Sequence, residues 1–248
     1  WIPAGVLHSG LTPAGTLHYA AQFSIATVPA IADVPVAVDV DPLLSMLLER
    51  LCSDDLTASS RAVTEAIGRQ AVPPRVLLSA SAVRYYGISD SVRFSEASPP
   101  GPAGDYLTDV THIWEAEALA AAAHGVRVVI LRFGLTLAVT ASGRGTLARL
   151  KRFLGGRIGS GRQWVSWIHR EDAVEIMLRA LGDAGMQGAY NAVAPHPVRM
   201  SQVTDAFGRV GGSLLRVPVP EFVLREYLGD AATVVLDGQR VHPDRLEA

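Results

Sequence analysis

The stretch that decides the fold is Arg75-Val-Leu-Leu-Ser-Ala-Ser-Ala82, which leads into Tyr85-Tyr86-Gly87. Its apolar residues are typical of a buried strand of a parallel sheet. Pro73 and Pro74 separate it from a preceding helical pattern. An alternating β-α-β arrangement is therefore predicted around this strand.

The flanking segments continue the alternation of helices and strands. Helices are predicted at 59–70, with Ser59 and Ser60 as N-caps, and at 103–124, with Gly125 as a left-handed C-cap. Strands are predicted at 126–131, 189–193 and 214–217, and further helices at 147–153, 170–181, 201–210 and within 220–248. Ser201 is the predicted N-cap of its helix, and the glycine-rich segment 141–145 is a predicted loop over a cleft.

Composition and charge narrow the class of protein. The 248 residues are 49% hydrophobic and 19% charged, with a formal net charge of −2, which predicts a soluble globular chain. Because its basic residues form no block, neither a nucleic acid nor a membrane is expected as a partner. The longest apolar strand-like run is too short to span a bilayer and the N-terminus has no leader pattern, so a cytoplasmic location is predicted.

Neither a disulfide nor a metal site is expected. Cys52 is the single cysteine, and the seven histidines do not occur at the spacings typical of metal ligands. A small-molecule substrate is the expected partner, while the sequence leaves the oligomeric state open.

Three motifs together resemble one protein family. These are Ser79-Ala-Ser-Ala-Val-Arg-Tyr-Tyr-Gly87, the pair Trp114-Glu115, and Gly159-Ser-Gly-Arg-Gln-Trp164 ahead of Trp167-Ile-His169. In this order they resemble the atypical, epimerase-like branch of the extended short-chain dehydrogenases/reductases, in the NAD-dependent epimerase/dehydratase family. The resemblance implies an α/β fold: a Rossmann-type doubly wound parallel sheet with a small C-terminal substrate lobe. It also implies NADP or NAD as cofactor, with NADP preferred.

The resemblance covers about 59–248 and fails at the N-terminus. The family opens with a Gly-x-x-Gly-x-x-Gly turn against the cofactor pyrophosphate, whereas Gly5, Gly10 and Gly15 are five residues apart. The predicted division is an atypical segment at 1–57, an NAD(P)-binding core at 58–170, and a C-terminal lobe at 171–248 interleaved with the core. Divergence, an incomplete chain and a shifted reading frame are three open explanations of the first segment.

The proton-transfer pair of short-chain dehydrogenases is missing. In Tyr-x-x-x-Lys the lysine lowers the pKa of the tyrosine, but Lys151 is the only lysine and follows Leu147 by four residues. Val110 and Trp114 occupy the matching helix positions. The resemblance leaves Ser81 as the predicted catalytic residue, with a water molecule or a nonstandard residue in place of the tyrosine. His112 is the nearest alternative acid or base, although histidines on helices more often serve structure.

The remaining site residues are predicted mainly from the resemblance. Cofactor contacts are predicted for Ser79, Ala80, Tyr86, Arg132 and Gly134, and substrate contacts for Tyr85, Arg162, Trp164, Trp167 and His169. Arg162 is suited to a carboxylate or phosphate, while Asp172 is expected in the first turn of a helix. The competing interpretations are structural: serines that satisfy a strand end, packed tyrosines, and a solvated turn around Arg162.

The predicted function is an NAD(P)-dependent, epimerase/dehydratase-like oxidoreductase acting on an unknown small molecule. Whether the chain is catalytic stays open because the Tyr-x-x-x-Lys pair is absent. The alternatives are a non-catalytic dinucleotide-binding sensor and an inactive truncated relative.

Overall fold

A computed structural model describes residues 36–38, 53–137, 158–211, 219–228 and 232–248. The predicted loop 141–145, helix 147–153 and strand 214–217 lie outside these ranges, as do Cys52 and the glycines of the N-terminal segment. The described helices are α1 (Ser53–Gly68), α2 (Tyr106–Ala120), α3 (Arg170–Gly182), α4 (Met200–Gly211), α5 (Glu221–Leu228), α6 (Thr233–Leu236) and α7 (Asp244–Glu247).

The described strands are β1 (Val36–Val38), β2 (Val76–Ala82), β3 (Arg93–Phe94), β4 (Arg127–Phe133), β5 (Leu135–Leu137), β6 (Trp164–Val165), β7 (Trp167–His169), β8 (Gly188–Ala192), β9 (Val198–Arg199) and β10 (Arg240–Val241). Four of them form one sheet in the order β1-β2-β4-β8. β1 runs parallel to β2, with Val36 opposite Val76. The intervening helices allow parallel crossovers, and the predicted α/β fold with a parallel sheet is confirmed.

The described residues fall into two compact units. Of the described residues, the first unit contains 36–38, 53–82, 109–131 and 177–189, and the second contains 83–108, 132–137, 158–176, 190–211, 219–228 and 232–248. The two units are defined by their compactness and alternate along the chain. The predicted division instead has only two boundaries, near 57 and 170.

An apolar cluster between helices and strands forms a core in the first unit. It contains Ile67, Leu77, Ala118, Ala121, Val126, Val128 and Ile130. The apolar positions of β2 and β4 are buried because helices cover them, as expected for a parallel sheet. Arg127 adds a polar tie by donating from Nη1 to the carbonyls of Ala180 and Met186, at 2.8 and 2.7 Å.

Two predicted helix starts are corrected by their capping groups. α2 begins at Tyr106 rather than at 103, because the Asp105 carboxylate accepts the backbone N–H of Thr108 at 3.0 Å and acts as the N-cap. α4 begins at Met200, so Ser201 lies inside its first turn. The side chain of Gln202 accepts the backbone N–H of Arg199 at 2.8 Å, which is the reach-back half of a capping box.

Other predicted boundaries are partly right. α1 begins at Ser53, so Ser59 and Ser60 lie within the helix, where serine is tolerated. The α2 segment ends in a 3₁₀ turn, and Gly125 with φ of 76° is the predicted left-handed cap. The segment predicted as helical after 220 also contains a strand: β10 pairs in parallel with β3, because the backbone of this segment completes hydrogen bonds such as His242 N–H to the Phe94 carbonyl at 2.9 Å.

Candidate functional site

Ser81 lies near the end of β2 in the first unit and is hydrogen-bonded to a buried carboxyl group. Its Oγ donates to Oε1 of Glu115 at 2.7 Å. Ser81 is 1% exposed and Glu115 5% exposed, so the pair is enclosed by protein. A buried hydrogen bond between a hydroxyl and a carboxyl group is strengthened by its surroundings, because little water competes with it. The predicted catalytic serine is therefore held in one orientation, with its proton directed at Glu115.

The neighbouring β2 residues differ in exposure. Ser79 is half-buried, whereas Ala80 is 7% exposed and packs in the core. Of these two predicted cofactor residues, Ser79 is the more accessible.

The helix positions of the missing proton-transfer pair are filled by core side chains. Val110 is 1% exposed and Trp114 is 5% exposed. The indole Nε1 of Trp114 has no hydrogen-bond partner among the described residues. His112 is half-buried on the same helix. The structure therefore gives Ser81 the Glu115 carboxyl as its hydrogen-bond acceptor, a role that the sequence analysis did not assign.

In the second unit, Arg132 lies against Tyr85 and Tyr86, the two tyrosines that were predicted to contact ligand. Its guanidinium carbon is 3.4 Å from the ring centre of Tyr85 and 5.0 Å from that of Tyr86. Its Nη1 also donates to the hydroxyl oxygen of Tyr86 at 2.8 Å. Arg132 is 4% exposed, and cation–π contacts gain strength when desolvated. Three predicted ligand contacts thus also form one internal cluster.

The Tyr86 phenol is fixed by a second partner and stays protonated. Its hydroxyl donates to Oδ1 of Asn191 at 2.7 Å, and its ring stacks on Phe94 with centroids 5.2 Å apart. Burial raises the pKa of Tyr86, while the nearby Arg132 lowers it by less. Tyr86 is consequently suited to hydrogen-bond donation and not to the proton exchange of a short-chain dehydrogenase tyrosine.

Asn191 connects this cluster to two further chain segments. Its backbone N–H donates to Oε1 of Glu96 at 2.9 Å, and its Nδ2 donates to the carbonyl of His242 at 2.9 Å. Asn191 is 0% exposed and uses both ends of its amide. Sequence reasoning missed it, although a polar residue inside the apolar β8 pattern is a usable signal of a buried hydrogen-bonding role.

Gly134 allows two backbones to approach each other closely. A Cβ at this position would lie 2.3 Å from the carbonyl oxygen of Ser166. The backbone N–H of Leu135 donates to that same oxygen at 2.8 Å. The requirement for glycine in this structure is therefore one of packing, and the predicted cofactor contact stays a prediction.

The predicted substrate residues of the glycine-bearing motif lie at or near the surface of the second unit. Trp164 is half-buried, with its Nε1 donating to the Asp90 carbonyl at 2.8 Å, and Trp167 donates to the carbonyl of His196 at 3.2 Å. Arg162 and His169 are exposed, as is Asp172 in the first turn of α3.

A partly buried ion pair in the second unit is absent from the sequence-based predictions. Arg84 donates from Nε and Nη2 to the Asp105 carboxylate at 2.9 and 2.8 Å. The Arg84 hydrogen bonds lower the pKa of Asp105 to about 2. A two-pronged pair of this geometry fixes the segment before α2 and needs no role in chemistry.

Within the described part of the chain, no group of three or more His, Cys, Asp or Glu residues is placed to hold a metal ion. The same residues contain no helix long and apolar enough to cross a membrane.

Solved structures with the same fold define the class of the protein. The human epimerase family protein SDR39U1, whose structure contains NADPH, has a TM-score of 0.70 with 28% sequence identity. The match covers 78% of this chain and 65% of the human chain. A nucleoside-diphosphate sugar epimerase from Corynebacterium glutamicum has a TM-score of 0.62 and 30% identity, over 78% of this chain and 38% of that one. The fold is thus the Rossmann-type fold of epimerases.

Residues 49–192 match the model of the NAD dependent epimerase/dehydratase family, and residues 219–248 match a domain of unknown function, DUF1731. The chain belongs to the NAD-dependent epimerase/dehydratase family. It is similar to the chloroplastic Epimerase family protein SDR39U1 homolog of Arabidopsis thaliana, with 43% identity, and to Epimerase family protein YfhF of Bacillus subtilis, with 38% identity. These matches cover 69% and 75% of this chain, and 49% and 61% of the two relatives. The chain therefore spans about half to two thirds of their length.

Proposed function

We propose that this protein is an NADP(H)-binding oxidoreductase of the epimerase/dehydratase family in which Ser81 and Glu115 handle the substrate proton. The observation that carries the proposal is the buried hydrogen bond of 2.7 Å between Ser81 Oγ and Glu115 Oε1. It lies near the end of a strand in a parallel sheet, the edge at which open α/β folds bind ligands.

The dinucleotide is proposed from the family match and from the NADPH in the human relative's structure. The described residues fit its nicotinamide end in one respect, since Ser79 leaves a half-buried polar group on β2. The segment that would hold the pyrophosphate lies outside the described residues. NADP is preferred over NAD because the human relative contains NADPH. When bound, the cofactor would accept or supply a hydride.

The protein's own residues can handle the accompanying proton. Because the hydroxyl of Ser81 donates to Glu115, its oxygen lone pairs are available to accept a proton from a substrate hydroxyl. When a substrate alcohol is oxidised, its proton passes to Ser81 Oγ while the serine proton passes to Glu115. The reverse transfers accompany carbonyl reduction. A substrate reaches Ser81 only if neighbouring side chains move, since the serine is 1% exposed.

A pair of matched variants tests this function in the full chain. NADPH affinity is measured by the change in nicotinamide fluorescence, and turnover by NADPH oxidation with a panel of aldehydes and ketones. We expect Ser81→Ala and Glu115→Gln to lower turnover by about 100-fold or more and to leave NADPH affinity nearly unchanged. Glu115→Asp keeps a carboxyl group, so it should retain more turnover than Glu115→Gln and keep the pH dependence of turnover. A purely structural role of Glu115 does not predict that difference.

Two outcomes would contradict the proposal. One is the absence of saturable NADPH binding by a cooperatively folded sample. The other is a parallel fall of turnover, cofactor affinity and thermal stability in both variants, which would assign Ser81 and Glu115 to the core.

A second candidate is a non-catalytic dinucleotide-binding sensor. It is favoured by the apolar side chains of Val110 and Trp114 at the positions of the usual proton-transfer pair and by the burial of Ser81. Tight NADPH binding without turnover of any carbonyl compound would support the sensor over the oxidoreductase. The predicted cytoplasmic location and the small-molecule substrate remain part of the proposal.

A further inference from the structure

Two arginines converge on one indole ring in the second unit. The guanidinium carbon of Arg199, at the end of β9, lies 3.7 Å from the ring centre of Trp164, and that of Arg240, at the start of β10, lies 5.0 Å from it. We call Trp164, Arg199 and Arg240 the Trp164 cluster. Three strands that are far apart in sequence bring two guanidinium groups to one indole ring.

The positive charge of the cluster is only partly balanced by the described residues. Among the described residues, the carboxylate paired with the cluster is that of Asp90, whose Oδ1 lies 3.6 Å from Arg199 Nη1. The Asp90 side chain is 72% exposed, so water screens this pair. The Nε of Arg240 is buried and has no hydrogen-bond partner within the described ranges. Such a donor favours an acceptor oxygen nearby.

The surroundings add positive charge. Arg162 has an exposed side chain, and its carbonyl oxygen accepts a hydrogen bond from Arg199 Nη1. The pKa of His242 is lowered first by burial, then by the positive charge of Arg93 and then by that of Arg240. These positive charges attract anions toward the cluster, and the Asp90 carboxylate offsets part of that attraction.

The cluster is also preorganised. The Trp164 indole is fixed by its hydrogen bond to the Asp90 carbonyl, and a Cβ at Gly238 would lie 2.0 Å from the Trp164 carbonyl oxygen, so the two backbones are in close contact. Stacking on the indole limits the freedom of Arg199, and less entropy is then lost when its planar fork binds an oxyanion.

We propose that the Trp164 cluster is a binding site for the oxyanion group of a small molecule, a phosphate or a carboxylate. Arg199 and Arg240 supply the charged N–H donors, and Trp164 holds them in place. This inference goes beyond the proposed function because it names a ligand class, and it requires neither the cofactor nor Ser81.

The test uses the full chain with sodium pyrophosphate in one arm and succinate in the other, at constant ionic strength. Binding is measured by calorimetry and by tryptophan fluorescence. We expect saturable binding of at least one anion, and about tenfold weaker binding in Arg240→Gln and in Arg199→Gln. The arm that saturates identifies the oxyanion as phosphate or carboxylate.

Arg225→Gln is the matched control, because Arg225 is a half-exposed arginine of the second unit that pairs with Glu221 at 2.8 Å. It should bind the anion as the unmodified chain does. Arg199→Lys keeps the charge without the planar fork, and should lie between the unmodified chain and Arg199→Gln. Because the Arg199 side chain is partly exposed, Arg199→Gln and Arg199→Lys are expected to fold. These two variants still test the site if Arg240→Gln fails to fold.

Three results would overturn the proposal. They are the absence of saturable anion binding by the unmodified chain, unchanged binding in both glutamine variants, and an equal loss in Arg225→Gln. NADPH affinity measured in the same variants separates this site from the proposed function. It should stay constant, and a parallel loss of NADPH affinity would place the cluster in the cofactor site and contradict a separate oxyanion site.

Discussion

The first and second units hold their buried polar groups in different ways. In the first unit, Ser81 and Glu115 form one buried hydrogen bond beside an apolar core of sheet and helix residues. In the second unit, Arg132, Tyr86 and Asn191 belong to a chain of hydrogen bonds that reaches Glu96 and the carbonyl of His242. The second unit has apolar clusters of its own, around Ile158 and Val165 and around Phe94 and Val241. We infer that the two units differ in how their buried polar side chains are linked, singly in the first and as a network in the second.

The largest expected effect concerns close backbone packing in the second unit. Gly134→Ala should lower the free energy of unfolding by about 3 kcal/mol or more, because the new Cβ would lie 2.3 Å from the carbonyl oxygen of Ser166. Gly182→Ala, at the end of α3, is the control with no atom within 4 Å of the added Cβ. Urea denaturation measures both, and equal effects would show that Gly134 is not a packing constraint.

A somewhat smaller effect is expected for the polar network. Asn191→Ala should cost about 2–3 kcal/mol, because it leaves the Tyr86 hydroxyl and the His242 carbonyl without their buried partner. Tyr86→Phe should cost about 2 kcal/mol, because it leaves the Arg132 Nη1 donor and the Asn191 Oδ1 acceptor without this partner. A double-mutant cycle on unfolding free energies should give a coupling of about 1 kcal/mol, and simple additivity would mean that the network does not act as a unit.

The Arg84–Asp105 pair predicts a pH dependence of stability. The pKa of Asp105 is lowered from 3.8 to about 2 in the folded chain, so the unfolded chain binds a proton first as pH falls. The stabilisation is fully present above about pH 4 and is lost as pH falls toward 2. Asp105→Asn should therefore cost about 1–2 kcal/mol at pH 7, a value reduced for the 31% exposure of the Asp105 side chain.

Unfolding free energies at pH 7 and near pH 3 check this prediction. The gap between Asp105→Asn and the unmodified chain should narrow at the lower pH, and a gap that stays constant would contradict a titrating ion pair.

For the buried pair of the first unit, we expect a modest contribution to stability. Ser81→Ala should lower the free energy of unfolding by about 1 kcal/mol through loss of one buried hydrogen bond. Thermal and urea unfolding provide the measurement. A loss as large as that of Asn191→Ala would make the two units alike in their dependence on polar contacts.

The smallest effect is expected at the surface of the first unit. Arg69 pairs with Glu65 one helical turn away at 2.9 Å, and the two side chains are 77% and 53% exposed. Arg69→Ala should change the free energy of unfolding by less than about 0.5 kcal/mol, because water screens exposed pairs. High salt should reduce the difference further, and a larger effect measured by urea denaturation would show that exposed pairs matter here.

Local sequence predicted some elements of the structure and missed others. β2, β4 and α3 were predicted to within one or two residues, because apolar periodicity and the Gly125 cap act over a few neighbouring positions. The start of α4 was predicted to within one residue, but its cap was assigned wrongly to Ser201, because the capping contact joins the Gln202 side chain to the backbone N–H of Arg199. The β3–β10 pair was missed, since pairing between residues about 150 positions apart leaves no local pattern.

The candidate site shows the same limit. Ser81, Tyr86 and Arg132 were selected from motifs, and the structure shows that each is a buried hydrogen-bonding residue. Their partners Glu115 and Asn191 received no role, because a hydrogen-bond partner is defined by position in space. Trp164 was selected from its motif. Its contacts with Arg199 and Arg240 were not predicted, because those arginines lie on other strands that approach Trp164 only in the folded chain.

The sequence by itself determined the family and the α/β alternation, because strand periodicity, helix caps and ordered motifs are local properties of the chain. The tertiary structure alone decided which acceptor faces Ser81, which cations surround Trp164 and why position 134 must be glycine. These features depend on distances between segments far apart in sequence, which are fixed only when the chain has folded and its buried polar groups have found partners.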